Sequence, residues 1–290
     1  MNIQSATTGN LQRAQNILIA MSRFTAEHNA PCVNLIEKFT LGKGNYQLTL
    51  PKVGQQEVYD LVDGQPYPEG EDIGLGVTDM TTSEVGSKCY LSKKLIRQFN
   101  EDVFKIVGRQ QGDAMARKRD KDVIALFPAL NASTTYGVDN ADLSLLNASA
   151  CVANLTSVPA PSPMVAVHHP IAIATLARNA AAIDATYYAG ILGDFSEELL
   201  RNFWRVRISG VNFFQDGNIA KSTGADSGYG AIFSKSAMAY VEGLAPMVER
   251  EYNYDYRSWI LYIQADYGVY EIDDSYGAPM LYEIGALSTT

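Results

Sequence analysis

The apolar positions of this chain change period along its length, and each change marks a different kind of element. From Ser92 onward the spacing is helical: Leu95, Ile96, Phe99, Val103, Ile106, Val107, Gln110 and Ala114 fall on one i, i+3/i+4, i+7 stripe. Ser92 is a suitable N-cap, and Pro128 ends the pattern. A continuous helix of this extent would be roughly 50 Å long at about 1.5 Å per residue. Gly108 and Gly112 lie four apart within it. They either weaken or kink the helix, or they admit another element at close range. Upstream the period is two. Tyr46–Leu50 alternates cleanly, and Val77–Leu91 reads as a second extended run. Between them lies a turn-rich tip, DGQPYPEGEDIG. The hairpin has few large apolar residues for a core of its own, and an isolated hairpin is marginal in water. It must lie on the body of the protein or on a neighbour.

Elsewhere the pattern is more mixed. Leu11, Ala14, Leu18, Met21 and Ala26 suggest a helical arm ahead of Pro31. Asp142–Leu155 is a short candidate helix, followed by a rigid connection through Pro159, Pro161 and Pro163. Met164–Val167 reads as a buried strand that turns into a helix near Pro170, a favoured first-turn residue. Phe203–Asp216 reads as two strands broken at Gly210, and Ser222–Gly230 as a flexible loop. AIFSKSAMAYVEGL predicts a short strand running into a helix. The tyrosine-rich stretch beyond it predicts strands, with Trp259, Leu261, Ile263 and then Val269, Glu271, Asp273 in alternation.

Composition narrows the function. The chain has 290 residues, a formal net charge of −9 and 47% hydrophobic residues, enough for a sizeable core. The acidic balance argues against tight binding to DNA or to an anionic membrane. Cys32, Cys89 and Cys151 form no CxxC pair, so neither a zinc site nor a disulfide framework is expected. NILIAM (Asn16–Met21) is too short for a secretory segment, and no apolar run is long enough to span a membrane. Synthesis in the cytoplasm is the simplest expectation, and it leaves the sequons at Asn131, Asn147 and Asn154 without meaning.

Candidate chemistry is sparse. Adjacent residues on a strand face opposite ways, so His168-His169 would chelate poorly. The surroundings of Ser227 lack GxSxG spacing and have no histidine downstream. Gly42-Lys43-Gly44 lacks the rest of a phosphate loop. Asp273-Asp274 reads as a solvent turn, with calcium a remote option.

One run stands apart. ARKRDKD (Ala116–Asp122) crowds charge into the last turns of the long helix. Asp113 and Arg117 stand i, i+4 in the favourable order, as do Glu101 and Lys105, while Lys118 and Asp122 pair in the weaker order. The signs mix, which disfavours a nucleic-acid patch. The run is either a solvated face or an ionic contact to a neighbouring subunit.

The order of these stretches resembles a known family. LVDGQPYPEGEDIGLGVTDMTTSEVGSKCYLSKKLI is similar to the extended loop, and its return into the spine helix, of the major capsid proteins of tailed double-stranded DNA bacteriophages, with the Hong Kong 97-like fold. GRQQGDAMARKRDKDVIALF is similar to the end of that spine helix, and PMVAVHHPIAIATL to the strand-to-helix step of the axial domain. AIFSKSAMAYV and YGVYEIDDSYGAPMLYEI resemble the late helix and the closing peripheral strands.

The resemblance implies an α+β capsid fold laid out in five parts. These are an N-terminal arm (1–35), an extended loop with flanking strands (36–91), a spine helix in the peripheral domain (92–131), an axial domain (132–261) and closing peripheral strands (262–290). It implies self-assembly into pentamers and hexamers of an icosahedral head that encloses DNA without reading its sequence. No catalysis, cofactor, metal or membrane is implied. Portal and scaffolding proteins are the expected partners, with a decoration protein as an option, and the virion is the destination. The loop, about Gly42 to Val85, would lie over an adjacent subunit, and the arm would clasp neighbours. Candidate intersubunit residues are then Asp63, Tyr67 and Glu69 on the loop and Asp113, Arg117, Arg119 and Asp120 on the helix. A cellular nanocompartment shell of encapsulin type, or an α+β enzyme with an unrecognised site, are the alternatives.

Overall fold

A computed structural model describes residues 30–53, 74–98, 103–131, 134–158, 160–187, 206–208 and 210–286, with positions 58, 60, 63 and 64. The predicted arm helix lies outside the described residues. The helical stripe after Ser92 forms α2 (Lys93–Gln98) and α3 (Val103–Ile124), following a short α1 (Cys32–Leu35). Ser92 accepts the Leu95 amide at 3.2 Å, as an N-cap should. Helix α3 runs unbroken through Gly108 and Gly112, and a Cβ at either would meet nothing within 4 Å. Among the described residues, close approach by another element is therefore not their reason.

Helix α3 lies on a four-stranded sheet in the order β1-β10-β11-β4, where β1 is Glu37–Thr40, β4 Ser83–Ser92, β10 Met238–Asn253 and β11 Ser258–Glu271. The β10–β11 ribbon is long and antiparallel, and β4 extends it on the other side. Register shifts in β10 bracket Gly243 and Pro246. A proline cannot donate to the ladder, so it sits where the pairing is already interrupted.

The second sheet has six strands, β5-β12-β9-β6-β8-β7. Here β5 is Tyr136–Gly137, β6 Met164–His168, β7 Val206–Ile208, β8 Val211–Gln215, β9 Ser227–Ser234 and β12 Gly277–Glu283. Helix α5 (Pro170–Tyr187) follows β6, and β6 and β8 are parallel, as a crossover through a helix requires. Helix α4 (Leu145–Ser157) starts at Ser144, whose Oγ accepts the Asn147 amide at 3.2 Å. One hydrophobic core joins both sheets. It runs from Met115 and Val123 of α3 through Phe127, Phe213 and Phe233 to Met280 and Tyr282. The hairpin strands β2 (Gln47–Val53) and β3 (Leu75–Thr81) pair antiparallel as a separate two-stranded sheet.

The structure corrects three expectations. The stretch after Ser234 makes one short 3-10 turn and then the long strand β10, not a helix. Met238–Val241 is buried on both faces, which erases the alternation that marks a strand. The flexible loop expected through Gly230 ends earlier, because β9 begins at Ser227. The domain boundary expected at 261/262 falls inside β11, and β12 joins the six-stranded sheet rather than the one beneath the spine helix.

Candidate assembly interface

Helix α3 sorts its charged run by face. Gln111, Met115, Arg119 and Val123 stand four apart and turn towards the sheet, where Met115 and Val123 are buried. Gln111 donates from Nε2 to the Leu261 carbonyl at 3.2 Å. Arg119 lays its guanidinium 4.9 Å from the ring centroid of Tyr240 on β10. Tyr240 stacks on Tyr267 of β11 at 5.5 Å and 23°. The Tyr267 hydroxyl donates to Asp122 Oδ2 at 2.7 Å, and the other carboxylate oxygen of Asp122 pairs with Lys118. Burial, then the bond to Asp122, pushes the Tyr267 pKa up, so the hydroxyl stays a donor. Asp120 is fully buried. Its Oδ1 accepts the Cys32 amide and its Oδ2 the Asn218 side-chain amide, each at 3.0 Å.

Arg119 and Asp120, expected as intersubunit contacts, are thus engaged inside their own chain. For Asp120 this is a correction: a carboxylate at 0% exposure offers nothing to a neighbour. Asp113, Arg117 and Lys121, two positions out of step with the buried stripe, lie on the exposed side.

The hairpin divides differently, between its base and its far end. At the base, Met80 is fully buried with Ala239 and Val241, and Leu48, Leu50, Phe39 and Tyr270 pack around them. The Tyr270 hydroxyl donates to the Thr81 carbonyl at 2.7 Å. Gly268 permits this approach, since a Cβ there would lie 2.3 Å from the Thr81 oxygen. Lys52 reaches Asp273 at 2.6 Å. Burial alone would raise the Asp273 pKa, but the Lys52 ammonium and the Ser275 hydroxyl and amide outweigh it and hold the carboxyl below its ordinary value. So the acid that admitted calcium as a remote option takes a lysine instead. Away from the base the hairpin loses its cover. Val53 and Val77 are mostly exposed, and Val58 is 97% exposed. Asp63 is exposed in a turn with Gly64, and Tyr67 and Glu69 lie outside the described residues.

A second apolar region is exposed along the β10–β11 ribbon, with Leu244, Met247 and Val248 in its middle and Tyr254 and Tyr256 at its turn. The sequence expectation placed Leu244 in a helix and Tyr254 and Tyr256 among strands; their exposure depends on which strands flank the ribbon.

The weakest chemical candidates have structural roles. His168 is fully buried, and its Nδ1 accepts the His169 amide at 2.8 Å. Burial, then the neighbouring His169, pushes its pKa down to about 3, so it stays uncharged. Ser227 is buried, and its Oγ accepts the Asn140 amide at 2.8 Å. The reading missed one group altogether. Cys32, Asp120 and Asp216 meet in the interior, with ligating atoms within 4.8 Å of one another. Eighty-eight residues separate Cys32 from Asp120 and 184 separate it from Asp216, so no local motif could have announced the group.

No protein-family model and no curated protein matches the chain. Solved structures do. A chain from Mycobacterium phage Che8 is 14% identical with a TM-score of 0.68, over 90% of this chain and 94% of that one. A chain from the capsid of the cyanophage P-SCSP1u is 14% identical with a TM-score of 0.70, over 92% and 91%. A chain from the mature capsid of bacteriophage PhiM1 is 13% identical with a TM-score of 0.70, over 92% and 91%. The α+β fold is that of the Hong Kong 97-like phage capsids.

Proposed function

We propose that this chain is a major capsid protein. It assembles into the pentamers and hexamers of an icosahedral phage head that encloses double-stranded DNA. The observation that carries this reading is the hairpin: a docked base continues into a stretch with exposed valines that none of the described residues covers. Apolar surface left uncovered at an extremity is the mark of a contact completed by another chain. The capsid folds that match about nine-tenths of the chain support the same conclusion. The role is structural rather than catalytic, and the encapsulin-like and enzyme alternatives draw no support from these similar structures. The loop covers an adjacent subunit, Asp63, Asp113 and Arg117 contribute to contacts between subunits, and the site of action is the virion. Portal and scaffolding proteins are the partners this role requires, with a decoration protein as a further one.

Negative-stain microscopy of the purified full-length chain, alone and with a co-expressed scaffolding protein, tests the reading. Shells, or rings of five and six subunits, are expected. Monomers under every assembly condition would overturn it.

A further inference from the structure

Three parts of the chain meet at the buried acidic pair. Cys32 comes from α1, directly after the region before residue 30. Asp120 comes from α3. Asp216 comes from the turn after β8, at the C-terminal end of that strand in the six-stranded sheet. All four carboxylate oxygens are provided for. Asp120 accepts from the Cys32 amide and the Asn218 side chain. Asp216 accepts the Asn218 amide at 2.8 Å and the Cys32 thiol at 3.2 Å. The remaining interaction is between the two acids. Two carboxylates this close in the interior cannot both be ionised without strong repulsion, so one proton is shared. We propose that this proton is a latch. While it is present, the pair holds the Pro31–Ile36 segment against α3 and the six-stranded sheet. When it leaves, two buried like charges loosen that segment.

The surrounding groups favour this role over metal binding. The thiol is pushed well above its ordinary pKa by burial, then by Asp120 and Asp216, so it stays a neutral donor rather than a thiolate ligand. His168, whose carbonyl accepts the Asp216 amide at 3.0 Å, carries no charge to compensate the pair. Burial, then the bond to Asp120, pushes Asp216 up to about 7, partly offset by the Asn218 amide. An aspartate in an unfolded chain ionises near 4. The folded pair therefore keeps a proton that the unfolded chain has lost. Its contribution to stability is fully present below about pH 4 and is lost as the pH rises through about 7. The latch thus opens on the alkaline side of neutrality. If the assembly role proposed above holds, it couples the segment leading out of the N-terminal region to pH, although the latch itself acts within one subunit.

Hydrogen exchange on the full-length subunit tests it, with amide protection of Val33–Ile36 read at pH 6 and pH 8.5 after correction for intrinsic exchange. Protection is expected to fall roughly tenfold or more at the higher pH, and more there than in β9. Asp216→Asn keeps a neutral partner and is expected to flatten the pH response. Asp120→Asn serves the same purpose if the first variant does not fold. Equal protection at both pH values in the wild type, or an unchanged pH response in the folded variant, would overturn the latch. So would protection that rises with added Zn²⁺ and loses that rise in Cys32→Ser, since the group would then be a metal site. Failure of the chain to form shells would leave these outcomes unaffected, so the two proposals fail separately.

Discussion

The end of the spine helix and the far end of the hairpin make opposite use of polar and apolar residues. ARKRDKD carries the densest charge in the chain, yet Arg119, Asp120 and Asp122 are all engaged by their own subunit. The hairpin carries valines at Val53, Val58 and Val77, and they face outward. Polarity alone therefore ranks the two regions the wrong way round. What decides is the partner that each side chain finds. A guanidinium over a stacked tyrosine pair, or a carboxylate with a donor on each oxygen, is stable in the interior. Valines gathered at an uncovered extremity gain by burial against another surface, which the charged run has already found within its own chain.

The contrast can be broken by experiment. The largest effect is expected from deleting the loop tip, Asp63–Gly74. Shell yield by microscopy and gradient sedimentation should collapse, while the subunit melts within about 2 °C of wild type, because the described residues of this segment, Asp63, Gly64 and Gly74, are exposed. An undiminished shell would show that the tip touches no neighbour. Next comes Arg119→Glu, which replaces the guanidinium over Tyr240 with a half-buried negative charge beside Asp120 and Asp122. Denaturant unfolding should register a loss of about 2–4 kcal/mol. A loss below about 0.5 kcal/mol would return Arg119 to the list of surface contacts. Lys52→Ala removes the anchor at the hairpin base. Because Lys52 is more than half exposed, the cost should be under about 1 kcal/mol. The Asp273 pKa is depressed in the fold, so this contribution is present above about pH 4 and lost as the pH falls through the lowered value. A difference between wild type and variant that grows in acid would refute that assignment. Arg117→Glu should have the smallest effect on the subunit, within about 0.5 kcal/mol, and should act on assembly instead. Equal losses in melting and in shell yield would place Arg117 with Arg119.

Much of this could be read in the sequence, and the failures have a common cause. The spine helix, its Ser92 cap, the β6-to-α5 step at Pro170 and the break at Gly210 rest on local signals, and all are present. The β10 strand was misread because alanines and a fully buried stretch leave no period of two. Its conformation is fixed by its partners, β1 far upstream in the chain and β11 just after it. Asp120 was misread for the same reason. Its neighbours in sequence are all charged, while its neighbours in space are Cys32, Asp216 and Asn218. The loop residues Tyr67 and Glu69 stay as proposals.

The order of the six-stranded sheet bears on timing. Strand β12 pairs with β9 along seven residues, Gly277–Glu283 against Phe233–Ser227, and it is the strand against which β5 pairs. A ribosome that has not yet passed residue 283 has therefore made β9 with one edge open and β5 without its mate. The sheet closes only after Glu283 has been translated, so a chain that ends before β12 leaves β9 with an open edge and β5 unpaired, however well its earlier elements have formed.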